Sequence, residues 1–341
     1  MTAATQSVSL CGAGMISHAH AIAARSLGMP IVAVASRSRE RADRRAAELA
    51  ARSIQYAGLP AGADIVIVAT PPSRHFDDVV HSLERGAAVV VEKPLVTTLN
   101  EADRLVMVAE RYANRVLYAE NLAYAPSFRK WISQLADMGT LQHLSARMEQ
   151  SPPTWGDFLD PTWGGGVLFD LGVHPLAMMV LSARACGAGE VISVSAVLDG
   201  DETDEHAEVT MAFSGGLSAR VIVSWRGSDT SHWSLQAASE SAAVTLELMP
   251  DIMLERNGVP IALAATTTHP PMIESLGYLD QLRAFRADLA DGVAPWMNVA
   301  FGRLIMEIVC SCYVSARDNG RATPVLSGCD RTLTPWQLWR G

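Results

Sequence analysis

Val8-Ser9-Leu10-Cys11-Gly12-Ala13-Gly14-Met15-Ile16-Ser17 decides how the N-terminal part of the chain is read. A short run suited to a buried strand passes straight into Gly-Ala-Gly, and an alanine-rich helix follows to about Leu27. Strand, glycine turn and helix start in that order form the context in which G-x-G-x-x-G binds a dinucleotide. Backbone N–H groups and the helix dipole there face the pyrophosphate. Ser17 stands where the third glycine would be and is small enough for close helix-to-strand packing. Gly12, Ala13, Gly14, Met15 and Ile16 are the expected pyrophosphate contacts; the plain alternative is an ordinary strand-to-helix turn.

Moving outward, Ile31 to Ala35 is an apolar run of the kind buried in a parallel sheet. An NAD site usually carries an Asp or Glu about 20 residues past the glycines, for the ribose hydroxyls. This chain has Ser36-Arg37-Ser38-Arg39 there. Hydroxyl and guanidinium groups suit a 2′-phosphate, so Ser36 and Arg37 are expected to favour NADP over NAD. The alternative is the start of a solvated helix, since Glu40-Arg41-Ala42-Asp43 continues in mixed charge. Ala63 to Ala69 reads as another buried strand, ending in Thr70-Pro71-Pro72-Ser73-Arg74-His75. The two prolines are expected to close a rigid loop at the ligand-binding edge of the sheet, before a helix from Phe76 to Arg85. Strand Ala88 to Val91 then leads into Glu92-Lys93-Pro94, placing the Lys93 ammonium at the mouth of a cofactor crevice; the alternative is a surface lysine before a loop proline.

A second constellation is Gly164-Gly165-Gly166-Val167-Leu168-Phe169-Asp170-Leu171-Gly172-Val173-His174. If the chain is helical from Val167, Asp170 and His174 project from one face into the same small volume. The three glycines would let the backbone pass close to a ligand. A flexible turn, with Asp170 capping an ordinary helix, is the competing reading. Trp155 and Trp163 flank this stretch and could stack on a sugar ring or pack in a core.

Composition limits the partners. The 341 residues fit two domains. A net charge of −9 argues against nucleic acid or an anionic membrane as the main partner and for a small-molecule ligand. Cys11, Cys186, Cys310, Cys312 and Cys329 are odd in number and lack metal-type spacing, which suits reduced thiols in a cytoplasm. No metal site is expected, and His18 and His20, two apart at a helix start, diverge. Residues 1–7 carry no basic segment or long apolar run, so neither export nor membrane insertion is expected.

The second half reads as a sheet. Gly139-Thr140-Leu141 begins a strand to about Glu149, and Val191 to Leu198, Ala207 to Phe213 and Leu217 to Trp225 follow. Ala207, Val209, Met211 and Phe213 alternate with His206, Glu208, Thr210 and Ala212, the period of a sheet with one buried face. Gly215-Gly216 signals a hairpin. Further strands are expected near residues 233–238, 242–248 and 252–256, then helices from Tyr278 and over about 298–316. An open sheet of this size needs cover, and self-association into a homodimer or homotetramer is expected.

Gly12-Ala13-Gly14, Ala69-Thr70-Pro71-Pro72 with His75, Glu92-Lys93-Pro94, Asn121 with Pro126, Gly164-Gly165-Gly166 and Asp170-x-x-x-His174, in this order, closely resemble the glucose-fructose oxidoreductase, inositol dehydrogenase and rhizopine-catabolism (Gfo/Idh/MocA) family across nearly the whole chain. The resemblance implies an N-terminal Rossmann domain, drawn at 1–122, and a C-terminal domain, 123–341, built on a large open, mostly antiparallel sheet, with the active site between them. It implies Lys93, Asp170 and His174 as the catalytic set, which would also contact substrate. It further implies a cis Lys93-Pro94 bond, cofactor contacts at Thr70, Pro71, His75, Glu92 and Asn121, and a substrate contact at Tyr124; Trp163 is a substrate contact expected from its aromatic face alone. The reaction expected is NADP- or NAD-dependent hydride transfer at a carbinol carbon of a sugar or cyclic polyol, with His174 as base and Lys93 as electrostatic donor, or the reverse. A dehydrogenase of a non-sugar alcohol or cyclic dihydrodiol, and a non-catalytic cofactor-binding sensor, are the alternatives.

Overall fold

The computed structural model describes residues 6–268, 270–325 and 328–341; of the N-terminal stretch read above, residues 1–5 lie outside it. The chain divides into two compact units. The first comprises residues 1–96, 100–124 and 266–303, and the second comprises 97–99, 125–265 and 304–341.

Six short strands build the first unit: β1 (Val8–Cys11), β2 (Ile31–Ala35), β3 (Arg52–Ile54), β4 (Ile65–Val68), β5 (Ala88–Glu92) and β6 (Val116–Ala119). They pair in parallel in the order β3-β2-β1-β4-β5-β6. Every residue of β1, β4, β5 and β6 is buried, as expected of strands covered on both faces. The crossovers run through helices α1 (Met15–Ser26), α2 (Arg39–Leu49), α3 (Pro72–Glu84) and α4 (Leu99–Arg111). Chain order reverses between β1 and β4, which makes their carboxyl ends the place where a ligand binds in such a sheet.

Two local readings change. Helix α3 starts at Pro72, not Phe76, because a proline at N1 needs no N–H partner and its fixed φ suits a helix start. A single boundary after residue 122 also does not describe the chain. Residues 266–303 return to the first unit, where the helix Tyr278–Asp291 packs on α1 and Tyr118 N–H of β6 bonds Met297 O.

The second unit is a nine-stranded sheet. Its strands are β7 (Leu141–Glu149), β8 (Val191–Asp199), β9 (His206–Phe213), β10 (Ser218–Ser224), β11 (His232–Ser239), β12 (Ala243–Met249), β13 (Met253–Arg256), β14 (Val259–Pro260) and β15 (Thr323–Pro324). Their order is β14-β13-β12-β11-β7-β10-β9-β8-β15. Only β7–β10 is a parallel pair; the other neighbours run antiparallel. Leu144, Ala146, Met148, Val209, Met211, Val221, Val223, Leu235 and Leu246 alternate into one buried face. That side of the unit also holds α5 (Pro126–Leu135), α6 (Val167–Asp170) and α7 (Val173–Ala185). The helix Val299–Arg317 is long and apolar enough to cross a membrane, yet most of it is buried in the protein.

Candidate active site

At the carboxyl end of β1 the glycine turn is built for close approach. Gly12 has φ +123°, and a Cβ there would lie 2.3 Å from Ala69 O at the end of β4. Gly14 is the N-cap of α1 with no side-chain cap, and a Cβ on it would meet nothing within 4 Å. The first turn of α1 carries no acidic residue and no side-chain cap, so the positive end of the helix dipole is left without a compensating carboxylate there. Met15 is exposed there, and Ala13 is buried beneath. Ser17 is buried and donates to Gly14 O at 2.9 Å, filling the third-glycine position without disturbing the turn. This cradle fits a diphosphate.

Ser36 and Arg37 follow β2. Arg37 N–H donates to the Tyr56 hydroxyl at 3.0 Å, and the Arg74 guanidinium lies over the Tyr56 ring, 4.9 Å from its centroid. Arg74 is held by Asp78 at 2.6 Å, and Thr70 Oγ1 donates to the other Asp78 oxygen at 2.8 Å. Arg74 lies in the Thr70–His75 stretch already read as the ligand-binding edge, whereas Tyr56 was not foreseeable there, because it stands alone between elements. The fit for a nucleotide continues here: Arg37 is exposed and β2 ends with no carboxylate.

His75, Glu92 and Asn121, the expected cofactor contacts, are buried and bonded within the protein. His75 is 1% exposed, and its ring nitrogens bridge Thr70 O at 2.8 Å to Pro94 O at 3.0 Å and Leu95 O at 3.1 Å. Burial lowers its pKa against those carbonyl bonds. It is a strut between two loops. Glu92 accepts from Lys93 N–H at 3.0 Å and pairs with His20 Nε2 at 2.7 Å. Asn121 Nδ2 donates to Leu276 O at 2.7 Å. Pro71 precedes α3 as its N-cap, Lys93 is half-buried after β5, and Lys93-Pro94 is cis. Tyr124 is 1% exposed, with its ring 5.0 Å from that of Trp296.

In the second unit the Gly-rich stretch is packed by the protein itself. A Cβ on Gly165 would lie 2.8 Å from the Tyr313 hydroxyl, and one on Gly166 would lie 2.1 Å from Asp204 O. Asp204, fully buried, accepts Gly166 N–H at 2.9 Å, Leu168 N–H at 2.8 Å and the Tyr313 hydroxyl at 2.5 Å. It caps α6 from 36 residues away. Burial pushes its carboxyl upward while those donors pull it down, and burial prevails. Close packing accounts for Gly165 and Gly166, and a φ of +104° for Gly164.

Asp170 and His174 do not share one continuous helix. Residues 161–170 and 173–185 are bent by 44°. Pro175 lacks the N–H that would bond Leu171 O, and its ring crowds that carbonyl; Leu171 O instead accepts from His174 N–H at 3.2 Å. Both side chains are buried, at 2% and 6% exposure, and the His174 ring stands 6.4 Å from that of Trp233. Trp163 is half-buried in the turn Pro161–Trp163, edge-on to Phe158 at 5.0 Å, and Trp155 is 37% exposed. The loop before it encloses a cavity of about 430 Å³ whose walls include Asp157, Asp160 and Glu202 but neither Asp170 nor His174.

Comparison with known proteins agrees with both sheets. Residues 7–120 match the GFO_IDH_MocA family, described as an oxidoreductase family with an NAD-binding Rossmann fold, and residues 130–244 match the GFO/IDH/MocA C-terminal domain. The uncharacterized oxidoreductase ORF334 of Rhizobium meliloti is 29% identical over 209 residues, 58% of this chain and 61% of that one. The D-xylose 1-dehydrogenase (NADP(+)) of Haloarcula marismortui is 28% identical over 184 residues, 50% of this chain and 51% of that one. The chain thus spans less than two thirds of the length of either relative. The crystal structure of GenD2 from gentamicin A biosynthesis in complex with NAD has the same fold, with a TM-score of 0.83, 22% identity and coverage of 94% of this chain and 97% of that one. With a dinucleotide cradle on a parallel six-stranded sheet, a nine-stranded partner sheet and a family match on each, the chain belongs to the Gfo/Idh/MocA oxidoreductase family.

Proposed function

We propose that this protein is a dehydrogenase or reductase that moves a hydride between a nicotinamide cofactor and a hydroxyl or keto carbon of a sugar, a sugar derivative or a cyclic polyol, with NADP preferred to NAD. The observation that carries this reading is the uncapped, acid-free start of α1 facing open space at Gly14. The backbone from Gly12 to Ile16 would hold the pyrophosphate, with Thr70 and Pro71 at the neighbouring strand end. Ser36 and Arg37 would take a 2′-phosphate, a preference in keeping with the NADP(+) in the D-xylose dehydrogenase's name.

The bound cofactor supplies or accepts the hydride. Oxidising a carbinol also requires a base for the hydroxyl proton, and we assign that proton to His174 Nε2 or Nδ1. Lys93 would donate to the same oxygen and stabilise its developing charge. Asp170 would orient the imidazole or hold a neighbouring hydroxyl. Tyr124 and Trp163 are proposed substrate contacts, and a cytoplasmic homodimer or homotetramer is the proposed form, in keeping with five free thiols.

The test follows cofactor reduction by NADP⁺ and NAD⁺ separately over a panel of inositols and aldoses, with Lys93→Ala and His174→Ala in parallel. Turnover preferring NADP⁺ and falling by roughly 10² or more in both variants is expected. Preference for NAD⁺ would overturn the reading of Ser36 and Arg37. Undiminished turnover in either variant would remove that residue from the mechanism.

A further inference from the structure

His20 lies in α1, fully buried, with its Nε2 2.7 Å from Glu92 Oε1 and its ring edge-on to Tyr278 at 5.3 Å. A carboxylate opposite Nε2 selects the tautomer protonated there, and Nδ1 has no hydrogen-bond partner. The second oxygen of Glu92 accepts the Lys93 N–H at 3.0 Å. Both carboxylate oxygens are therefore engaged, one by a helix 72 residues away and one by the next peptide.

Tyr118 is raised by burial and by the charges of Glu120 and Glu92, Tyr278 by burial and by the charges of Glu92 and Glu120, and His75 also feels the charge of Glu92. Glu92 itself is buried and, despite burial, is held below the ordinary glutamate range by His20, by the Lys93 ammonium and by the Lys93 N–H. A buried hydrogen-bonded pair of this kind adds little stability over apolar residues of the same shape. Its location immediately before Lys93 calls for another role.

We propose that His20 is a positioning residue for Lys93: by holding Glu92 it fixes the peptide from which the lysine side chain leaves and keeps a negative charge beside the amine. This rests on the reading of Lys93 as the donor to the reacting oxygen. His20 is fully buried and acts only through Glu92.

Lys93 and Lys130 are the only lysines in the sequence, and Lys130 is exposed, so it serves as an internal reference. Trace acetic anhydride labelling of the intact protein, read by mass spectrometry across a pH series, reports the ratio of Lys93 to Lys130 reactivity without any substrate. In His20→Leu the carboxylate loses its donor and protonates or turns away. Lys93 then loses its neighbouring anion, deprotonates at lower pH, and labels roughly threefold or more faster relative to Lys130 near neutral pH. His20→Gln, whose amide can donate to Glu92, restores the wild-type ratio. Glu92→Gln reproduces the leucine result with α1 unchanged, which covers failure of His20→Leu to fold. On a substrate from the panel, kcat falls in His20→Leu while KM for the cofactor holds. An unchanged labelling ratio in His20→Leu and Glu92→Gln overturns the positioning role. Undiminished turnover in Lys93→Ala instead overturns the catalytic reading and leaves the labelling result standing.

Discussion

Gly12 and Gly14 belong to one motif but answer to different constraints. At Gly12 the backbone is left-handed and a Cβ would overlap Ala69 O, so Gly12→Ala is expected to cost about 2–4 kcal/mol in urea unfolding. At Gly14, φ is −79° and the space above is open. Gly14→Ala should fold with stability within about 0.5 kcal/mol of wild type, yet bind NADPH roughly tenfold more weakly in a fluorescence titration, a loss of about 1.4 kcal/mol. Wild-type affinity in Gly14→Ala would mean that the pyrophosphate is not seated on α1. Glu92 supplies a pH test. Burial raises its carboxyl, but the bonds from His20 and Lys93 and the lysine charge leave it lowered. The stabilisation is thus present above the unfolded value near 4.3 and lost as pH falls through the lower folded value. Glu92→Gln should flatten the fall in unfolding free energy between about pH 5 and pH 2, and an equal slope in both proteins would contradict this. The glycines were legible in the sequence because a motif is local. His20 was not, because helix spacing compares it only with His18 while its partner lies on β5.

Elements were legible where their residues choose a state alone. Ile31–Ala35 is bounded as expected because a run of five apolar residues, four of them buried, has no other use, and Gly215-Gly216 turns β9 into β10 as a hairpin. The insertion of β7 between β10 and β11 was not legible, since pairing of strands far apart in sequence leaves no local pattern. The broken helix at Asp170 did leave a signal in Pro175, whose effect falls on the residues before it. Asp204 left none, being one acid in the run Asp201-Glu202-Thr203-Asp204-Glu205. Its three donors make it the fastening of the Gly164–Asp170 segment. Asp204→Ala leaves the Leu168 N–H and the Tyr313 hydroxyl buried without their acceptor and Gly166 N–H with only the Tyr313 oxygen at 3.2 Å, and is expected to cost about 3–5 kcal/mol. Tyr313→Phe removes one donor to Asp204 and the weaker of two acceptors for Gly166 N–H, which keeps Asp204, and should cost about 1 kcal/mol. Equal effects of the two in denaturant unfolding would show that Asp204 is not what holds α6.

At the scale of the whole molecule, the outward face of the nine-stranded sheet is the large surface without an assigned partner. Across it run Val197, Glu208, Ile222, Arg147, Ser234, Glu247 and Met253, one from each successive strand, all exposed or half-exposed. Its charges are largely satisfied within the sheet, since Arg220 pairs with Glu208 at 2.6 Å and Arg147 with Glu149 at 2.8 Å. The rest is short polar or aliphatic, with Val197 61% exposed. Seven strands at the usual spacing and rise offer a face of about 700 Å², close to the roughly 800 Å² that each partner buries in a stable interface. A neutralised face of that size suits a second copy of itself related by a two-fold axis, where each residue meets its own symmetry mate's neighbourhood. Sedimentation velocity is expected to give a dimer or tetramer. Ile222→Glu combined with Val197→Glu would set four carboxylates against one another across the axis, shifting the protein to a smaller species with little change in the unfolding midpoint of the dissociated chain. A wild-type monomer at all concentrations, or an assembly indifferent to both substitutions, would move the interface elsewhere or abolish it.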